Sequence, residues 1–354
     1  MSKLFSPLVI KKTRFRNRIV VSPMCQYSSE NGFANDWHLV HLGARAVGGA
    51  GLVITEAAAV SPEGRISPQD LGIWSDAHIE KLRQITAFLA AQQCVAGIQL
   101  AHAGRKASTG APWKDRGKVP VAQGGWVPVA PSAIPFSESY HMPAALDREG
   151  IRQVVADFTA AAGRALAAGF EVIEIHAAHG YLVHQFLSPL SNHRSDEYGG
   201  SFENRIRLLL EITDSVRTVW PHDLPLFVRI SATDWVEGGW NLEESVQLVH
   251  VLKQKGVDLV DVSSGGLSMH QHIAAGPAYQ LPFASRIRKE TGILTGTVGM
   301  ITSATQAETI LVNGDADMIF MAREILRNPY FPLLAAAELK DRISWPVQYE
   351  RAKP

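Results

Sequence analysis

Eight short apolar runs recur along the chain, and helical patterns separate them. Runs of this length that are rich in β-branched residues are typical of buried strands. They cover residues 19–22, 51–56, 95–100, 170–175, 226–230, 259–262, 293–295 and 318–321. Alternation of strands with helices predicts parallel strands joined by helical crossovers.

The intervening segments carry the signals of amphipathic helices. Asn241 and Glu244 have the spacing of an N-cap and its capping box, and Gly169, Gly256 and Gly314 are placed to end helices. One helical face is predicted to contain Ile151, Val154, Val155, Phe158, Ala162, Ala165 and Leu166.

The positions of polar residues distinguish a closed barrel from an open sheet. We find neither G-x-G-x-x-G after the first strand nor a Walker loop, which open nucleotide-binding sheets carry. Polar or small residues instead follow many strands, as in barrel enzymes, whose sites lie at the carboxyl ends of the strands. These are Cys25, Gln99, His176, Arg229, Ser263, Gly299 and Arg323. We predict an α/β fold, a single (β/α)8 TIM barrel over residues 1–354.

The connection after the third strand is long. Residues 103–145 are rich in Gly, Pro and Trp. Long loops in compact domains are usually functional or mobile. This segment is expected to be a rim or lid over the barrel mouth, with a plain surface excursion as the alternative.

Composition excludes several classes of protein. Lys+Arg and Asp+Glu are both 34, and no basic run stands out, so neither nucleic acid nor a membrane is an expected partner. The chain has no apolar run long enough for a membrane span, and its first residues do not resemble a signal peptide. Two cysteines, Cys25 and Cys94, support no disulfide framework and are consistent with a cytoplasmic location.

The segment from His176 to Tyr181 carries two imidazoles and a phenol just after a strand. Such groups donate hydrogen bonds or move protons near neutral pH, which predicts activation of a carbonyl-like oxygen. The alternative is a metal-dependent TIM-barrel hydrolase with His176 and His179 as ligands. A catalytic zinc needs a third protein ligand, and the sequence offers none clearly, so no metal is predicted.

Other residues at strand ends suggest a bound heterocycle. Cys25 and Tyr27 follow the first strand, and the Gln99 amide can both donate to and accept from a ring edge. Arg229 interrupts a buried strand and needs an anionic partner, either a carboxylate or a cofactor that becomes anionic.

The last two strands are followed by a predicted phosphate site. The segment around Gly299 is rich in small residues, and Ala322 and Arg323 follow the eighth strand. In barrels, these two loops commonly bind phosphate. A phosphate site, an amide and a buried guanidinium together fit FMN.

These motifs resemble those of the Old Yellow Enzyme family of NADH:flavin oxidoreductases. The resemblance covers nearly the whole chain and is most specific in residues 100–106, 176–181 and 192–205. It is closest to the cysteine-containing subgroup that includes bacterial NADPH dehydrogenases and xenobiotic reductases. It implies FMN as cofactor and NADPH or NADH as hydride donor.

The resemblance also implies site roles and an activity. The activity is an ene-reductase or NADPH dehydrogenase that reduces activated C=C bonds of α,β-unsaturated carbonyls, with hydride from FMN and a proton from Tyr181. His176 and His179 would bind the substrate oxygen, Tyr27 would orient the ligand, and Cys25 would touch both flavin and substrate. The C-terminal tail, 340–354, would carry Arg351 to a neighbouring subunit of a homo-dimer or tetramer. The implied FMN contacts are Ser22, Pro23, Met24, Cys25, Ala57, Gln99, Arg229, Gly299, Ala322 and Arg323.

Three alternatives remain open at this point. The metal-dependent hydrolase would be colourless and sensitive to chelators. A larger dienoyl-CoA-reductase-like flavoenzyme needs an iron–sulfur cluster, which two cysteines cannot ligate. A non-catalytic binding barrel would not turn over NADPH.

Overall fold

The computed structural model describes residues 1–114 and 117–354. Its strands are β1 (Leu8–Ile10), β2 (Thr13–Phe15), β3 (Ile19–Val21), β4 (Leu52–Ala59), β5 (Val95–Ala101), β6 (Val129–Ala130), β7 (Ala144–Ala145), β8 (Val172–Ala177), β9 (Leu226–Ser231), β10 (Leu259–Ser263), β11 (Leu294–Thr297) and β12 (Met318–Met321). Its helices are α1 (Asp36–Val47), α2 (Ile79–Ala91), α3 (Arg148–Ala167), α4 (Leu182–Leu187), α5 (Phe202–Val219), α6 (Leu242–Gln254), α7 (Leu281–Thr291), α8 (Ala304–Val312), α9 (Arg323–Arg327) and α10 (Phe331–Glu338).

Eight of these strands close into a parallel barrel in the order β10-β11-β12-β3-β4-β5-β8-β9. Strand β10 pairs with both β9 and β11, so the sheet has no free edge at that position. Each predicted apolar run coincides with one of these strands. The predicted (β/α)8 barrel is confirmed.

The hairpin β1–β2 lies at the amino-terminal end of the barrel and was not predicted. Phe15 on β2 is fully buried, and its ring lies 6.5 Å from that of Phe227 inside the barrel. Val172, Phe227 and Leu259 share this interior cluster. Because side chains alternate along a strand, residues two positions further on also point inward, toward the other end of the barrel. The hairpin therefore closes the apolar end, and the polar end stays open.

The predicted helix signals have their expected geometry. Asn241 and Glu244 form a complete capping box at the start of α6. Gly169, Gly256 and Gly314 have φ values of +84°, +80° and +72° just after α3, α6 and α8. Glycine adopts this conformation without steric cost, so these residues end the helices.

The predicted buried face of α3 is wrong at its last residue. Phe158 is fully buried, but Leu166 keeps 37% of its surface exposed near the helix end. We expect Phe158→Ala to lower the free energy of unfolding by about 3–5 kcal/mol, because the lost ring leaves a cavity. The matched change Leu166→Ala should cost about 1 kcal/mol or less. Urea denaturation followed by circular dichroism measures both, and equal losses would contradict this orientation of α3.

The carboxyl-terminal tail lies far from the barrel mouth of its own chain. Val347 and Gln348 line a cleft with Arg16 and Gln92, at the end where the barrel strands begin. These two residues begin the short 3-10 turn Val347–Ala352, in which Arg351 is exposed. Within residues 1–114 and 117–354, no helix has the length and apolar composition needed to cross a bilayer.

Candidate active site

Inward-facing polar side chains form layers toward the open end of the barrel. Strand register places Gln99 beside Glu174, and His176 beside Arg229. The Gln99 amide donates to Glu174 Oε1 over 2.8 Å. Burial, followed by the nearby Asp261, raises the pKa of the Glu174 carboxyl. Polar groups in this layer therefore lie just below the mouth, where a bound ring would meet them.

Arg229 has both an internal partner and access to a cavity. Its Nε lies 3.0 Å from Oδ2 of Asp261, although the N–H does not point at that oxygen. Both side chains are buried, and Arg229 also lines a cavity of about 420 Å³ beside the mouth. The guanidinium is therefore paired with a carboxylate and still has donors available for an anionic ligand.

His176, His179 and Tyr181 converge where β8 ends. The ring centroid of His176 lies 5.3 Å from that of His179 and 5.0 Å from that of Tyr181. His179 Nε2 lies 2.7 Å from Ser263 Oγ, whereas His176 Nδ1 is buried without a hydrogen-bond partner in the structure. An oxygen-bearing ligand would satisfy His176 directly, and it would compete with Ser263 for His179.

Buried side chains of α4 hold the segment that carries these groups. The Gly180 N–H donates to His184 Nδ1 over 2.9 Å, and Gln185 Nε2 donates to the Gly180 carbonyl over 2.7 Å. His184 Nε2 lies 2.8 Å from Oδ1 of the buried Asp234. Both the N–H and the carbonyl of Gly180 are thus hydrogen-bonded, which positions Tyr181 before any ligand binds.

Two loops pass each other closely at the mouth. Gly180 and Gly266 have φ values of +73° and +92°. A Cβ on Gly180 would lie 2.2 Å from the Gly266 carbonyl oxygen, and a Cβ on Gly266 would lie 2.6 Å from His179 Cα. Only glycine fits at both positions. Lys106 Nζ joins the same loops by donating to the carbonyls of His179 and Gly266, each over 2.9 Å.

The pKa values of the two histidines and of Tyr181 indicate which groups bind an oxygen and which group can donate a proton. Burial, and next the Arg229 charge, lower the pKa values of His176 and His179 well below their usual range, so both imidazoles are neutral near pH 7. Burial raises the pKa of the Tyr181 hydroxyl well above its usual range, so the phenol keeps its proton. Neutral imidazoles can bind an oxygen, and the protonated phenol is the available acid.

A cavity of about 360 Å³ opens at the mouth beside Tyr181. Tyr27 and Tyr181 line it, and Lys106 and Tyr140 do so from the long connection. Trp113, also in that connection, packs its ring edge-on against Tyr27 with centroids 5.4 Å apart, yet is 65% exposed. The connection between β5 and α3 therefore contributes aromatic and cationic groups to this mouth cavity.

The segment after β3 also reaches the mouth, where Tyr27 lines the same cavity. Ser22 is buried and its hydroxyl has no hydrogen-bond partner in the structure, while Pro23, Met24 and Cys25 are half-buried. Burial, followed by the nearby Asp70 and Glu56 carboxyls, raises the pKa of the Cys25 thiol well above its usual range. Cys25 is therefore a neutral thiol here. Cys94 is buried just before β5, at the far end of the barrel.

The residues of the predicted phosphate site line the cavity beside Arg229. Gly299, Ala322 and Arg323 line it together with Arg229. Gly299 has a φ of +123°, and a Cβ there would lie 3.0 Å from both Gln280 Nε2 and a ring carbon of Tyr279. Two guanidinium groups, a bare stretch of backbone and unpaired polar atoms on Ser22 and His176 suit a large anionic heterocycle, and the donor set therefore fits FMN.

Ala57 and Arg351 differ in how they relate to the mouth. Ala57 follows a register shift in β4 and lines the small cavity that Tyr181 also lines, and its backbone lies within hydrogen-bond reach of the Cys25 thiol. Arg351 is absent from the described residues that line the cavities at the mouth of its own barrel.

The metal alternative lacks a ligand set. Across residues 1–114 and 117–354, no three His, Cys, Asp or Glu side chains lie close enough to bind one ion. His176 and His179 instead neighbour an arginine, a lysine and a phenol. The hydrolase therefore has no support from this geometry.

Several supporting residues were missed from the sequence. Lys106 lies within residues 100–106 but was assigned no role, and His184 and Gln185 lie three and four residues after Tyr181. A polar pair in a helix that is buried on all sides would have been a signal for the latter two. From the sequence, Ser263 could be assigned to the end of a strand, but its hydrogen bond with His179 was not predicted. Asp70 gave no signal at all, because only the fold brings it to the site.

Comparison with known proteins gives a consistent result. The model of the NADH:flavin oxidoreductase / NADH oxidase family matches residues 3–342. An NADPH dehydrogenase of Bacillus subtilis is 50% identical over 351 residues, covering 99% of this chain and 98% of the relative. One from a Geobacillus species is 51% identical over 350 residues, covering 98% of each. The solved structure of morphinone reductase superimposes with a TM-score of 0.80 at 27% identity, covering 98% of this chain and 91% of that one.

Proposed function

Because the chain belongs to the NADH:flavin oxidoreductase / NADH oxidase family, we propose that it is an FMN-dependent ene-reductase that takes hydride from NADPH. Its substrates would be electrophilic alkenes such as α,β-unsaturated ketones and aldehydes. The observation that carries the proposal is that two neutral imidazoles and one protonated phenol converge at the end of β8. The imidazoles adjoin Arg229 and Ser263, which line a cationic cavity of about 420 Å³. The NADPH dehydrogenase names of two relatives support NADPH over NADH.

Each end of the cofactor would have its own partners. Arg323, Ala322 and Gly299 would hold the phosphate, and Arg229 and Gln99 would face the ring system. The further ring contacts would come from Ser22, Pro23, Met24, Cys25 and Ala57. When bound, FMN would accept hydride from NADPH and supply it to the β-carbon of the alkene.

The protein residues supply orientation, charge stabilisation and a proton. His176 Nδ1 and the imidazole of His179 would donate to the substrate oxygen as negative charge develops there, as oxyanion-hole donors do. Tyr181 would then protonate the α-carbon from the side of the mouth cavity. Cys25 and Tyr27 would pack against the substrate and fix its orientation.

The oligomer and the long connection complete the proposal. Arg351 is exposed at the end of the barrel opposite its own mouth, so it would reach the mouth of a second copy in a homo-dimer or tetramer. Residues 103–145 would act as the rim or lid, since Lys106, Trp113 and Tyr140 already line or flank the mouth cavity.

A visible spectrum of the purified protein tests the proposed function. We expect yellow protein that releases FMN on denaturation and consumes NADPH in the presence of 2-cyclohexenone. A colourless protein that neither binds added FMN nor oxidises NADPH would overturn the proposal. Loss of activity on treatment with a chelator would favour the hydrolase instead.

Arg323→Ala tests the phosphate site. One charge-assisted contact is lost, so we expect the dissociation constant for FMN to rise about 10- to 100-fold. Riboflavin lacks the phosphate, and its binding to the apoprotein should be the same in both proteins. Fluorescence titration measures both ligands, and an equal loss for riboflavin would show that Arg323 does not bind the phosphate.

A further inference from the structure

Tyr181 faces two separate spaces. One is the mouth cavity, which a bound alkene would fill. The other is a small cavity of about 10 Å³ behind the ring, which has room for one water molecule. Tyr181 and Asp70 line it together with Ala57, Ala59, Ala101 and Ala103. Among these side chains, the carboxyl and the phenol are the two that can bind a water molecule.

Asp70 is an unusual group to find there. It is 2% exposed, and its carboxyl accepts from the Ile66 N–H and the Ser67 hydroxyl, each over 2.7 Å. Burial, followed by the Glu56 carboxylate, raises its pKa to about 7. Asp70 therefore carries a transferable proton at neutral pH. The charged or titratable groups around it are Glu56, Cys25, Tyr27, Tyr181 and Arg65.

The proposed reaction needs such a proton behind Tyr181. A phenol that protonates carbon becomes a phenolate, and burial of Tyr181 among other acidic groups strongly disfavours that charge. The bound substrate blocks the mouth side while the transfer occurs. A proton supplied from the small cavity would remove the charge as it forms.

We propose that Asp70 is a positioning residue that restores the proton of Tyr181 through one water molecule in the small cavity. This inference rests on the proposed role of Tyr181. The Tyr181 O–H bond breaks as the α-carbon gains its proton. The water molecule passes a proton to the phenolate oxygen and receives the proton of Asp70. Asp70 is left as a carboxylate and recovers a proton from solvent after the product leaves. No electrons are transferred in this step.

Asp70→Asn tests the relay in a single turnover, with reduced enzyme mixed with 2-cyclohexenone. Asparagine keeps an oxygen for the Ile66 N–H but cannot give up a proton. We expect a rate loss of about tenfold, smaller than the general-acid contribution of Tyr181 itself. The wild-type rate should fall as pH rises through about 7, because Asp70 ionises, and the Asn variant should lose this dependence. Proton inventories in mixed H₂O and D₂O should indicate three transferred protons in the wild type, from Tyr181, the water molecule and Asp70, and one in the variant.

Ser67→Ala provides a second variant that keeps the carboxyl. The Ser67 hydroxyl bond favours the ionised form, so its loss should move the midpoint of the pH profile upward. A purely structural brace would not shift this midpoint. Unchanged rate, pH profile and proton inventory in Asp70→Asn would overturn the relay alone. A Tyr181→Phe enzyme that still reduces the alkene at the wild-type rate would overturn the assignment of Tyr181 as proton donor, on which the relay rests. A colourless protein that neither binds FMN nor oxidises NADPH would overturn the proposed function itself.

Discussion

Replacement of Tyr181 by phenylalanine is expected to slow alkene reduction by about 10²- to 10⁴-fold, the usual contribution of a general acid. The reduction of bound FMN by NADPH should remain nearly unchanged, because that step needs no proton from the phenol. Phenylalanine keeps the ring that packs against His176 and lies under the Lys106 ammonium group, 5.0 Å and 5.2 Å away. The change therefore removes only the hydroxyl.

Rapid mixing separates the two half-reactions of this variant. Tyr198→Phe is the matched control, since the Tyr198 hydroxyl donates to Glu211 on α5 and lies outside the site. The control should retain wild-type rates in both steps. Equal losses of Tyr181→Phe in both half-reactions would contradict the assignment of Tyr181 as the proton donor.

Loss of either histidine should have the second-largest effect. We expect His176→Ala and His179→Ala each to slow the reduction of 2-cyclohexenone by about 10²- to 10³-fold, as removal of one oxyanion-hole donor does. The loss of substrate affinity should be larger for His176→Ala. Among the described residues, His176 Nδ1 has no hydrogen-bond partner that the substrate oxygen would have to replace, whereas His179 must first break its hydrogen bond to Ser263.

The pH dependence of this effect follows from the pKa values. Both histidines have lowered pKa values, so they stay neutral as pH rises from 6 to 9, and the ratio of wild-type to variant rates should be constant over that range. His222→Ala, at an exposed turn, is the control. A ratio that falls as pH rises through 6.5 would indicate that a charged imidazolium, and not a neutral imidazole, stabilises the substrate oxygen.

Local sequence patterns predicted most of the fold. The apolar runs predicted strands correctly, because a strand that is buried on both faces must be apolar along its length whatever packs against it. The capping box of α6 was also readable, since Asn241 and Glu244 act within a single turn. The sequence pattern failed at Leu166, because where α3 leaves the barrel surface depends on its packing partners and not on its periodicity.

The active site was only partly predictable for the same reason. Residues that follow strands could be assigned to one end of the barrel, because all parallel strands end there. The hydrogen bond of His179 to Ser263 and the ion pair of Arg229 with Asp261 join residues that lie 84 and 32 positions apart in the chain. No local pattern encodes such pairs.

The sequence by itself determined the barrel, the end at which chemistry occurs and, through its motifs, the family. Only the tertiary structure decided which nitrogen atoms are free, how Arg351 lies relative to its own mouth, and that Asp70 shares a cavity with Tyr181. The physical reason is that strand and helix formation depend on neighbours within a few residues. Pairing, burial and the resulting pKa values depend instead on groups that meet only when the barrel closes.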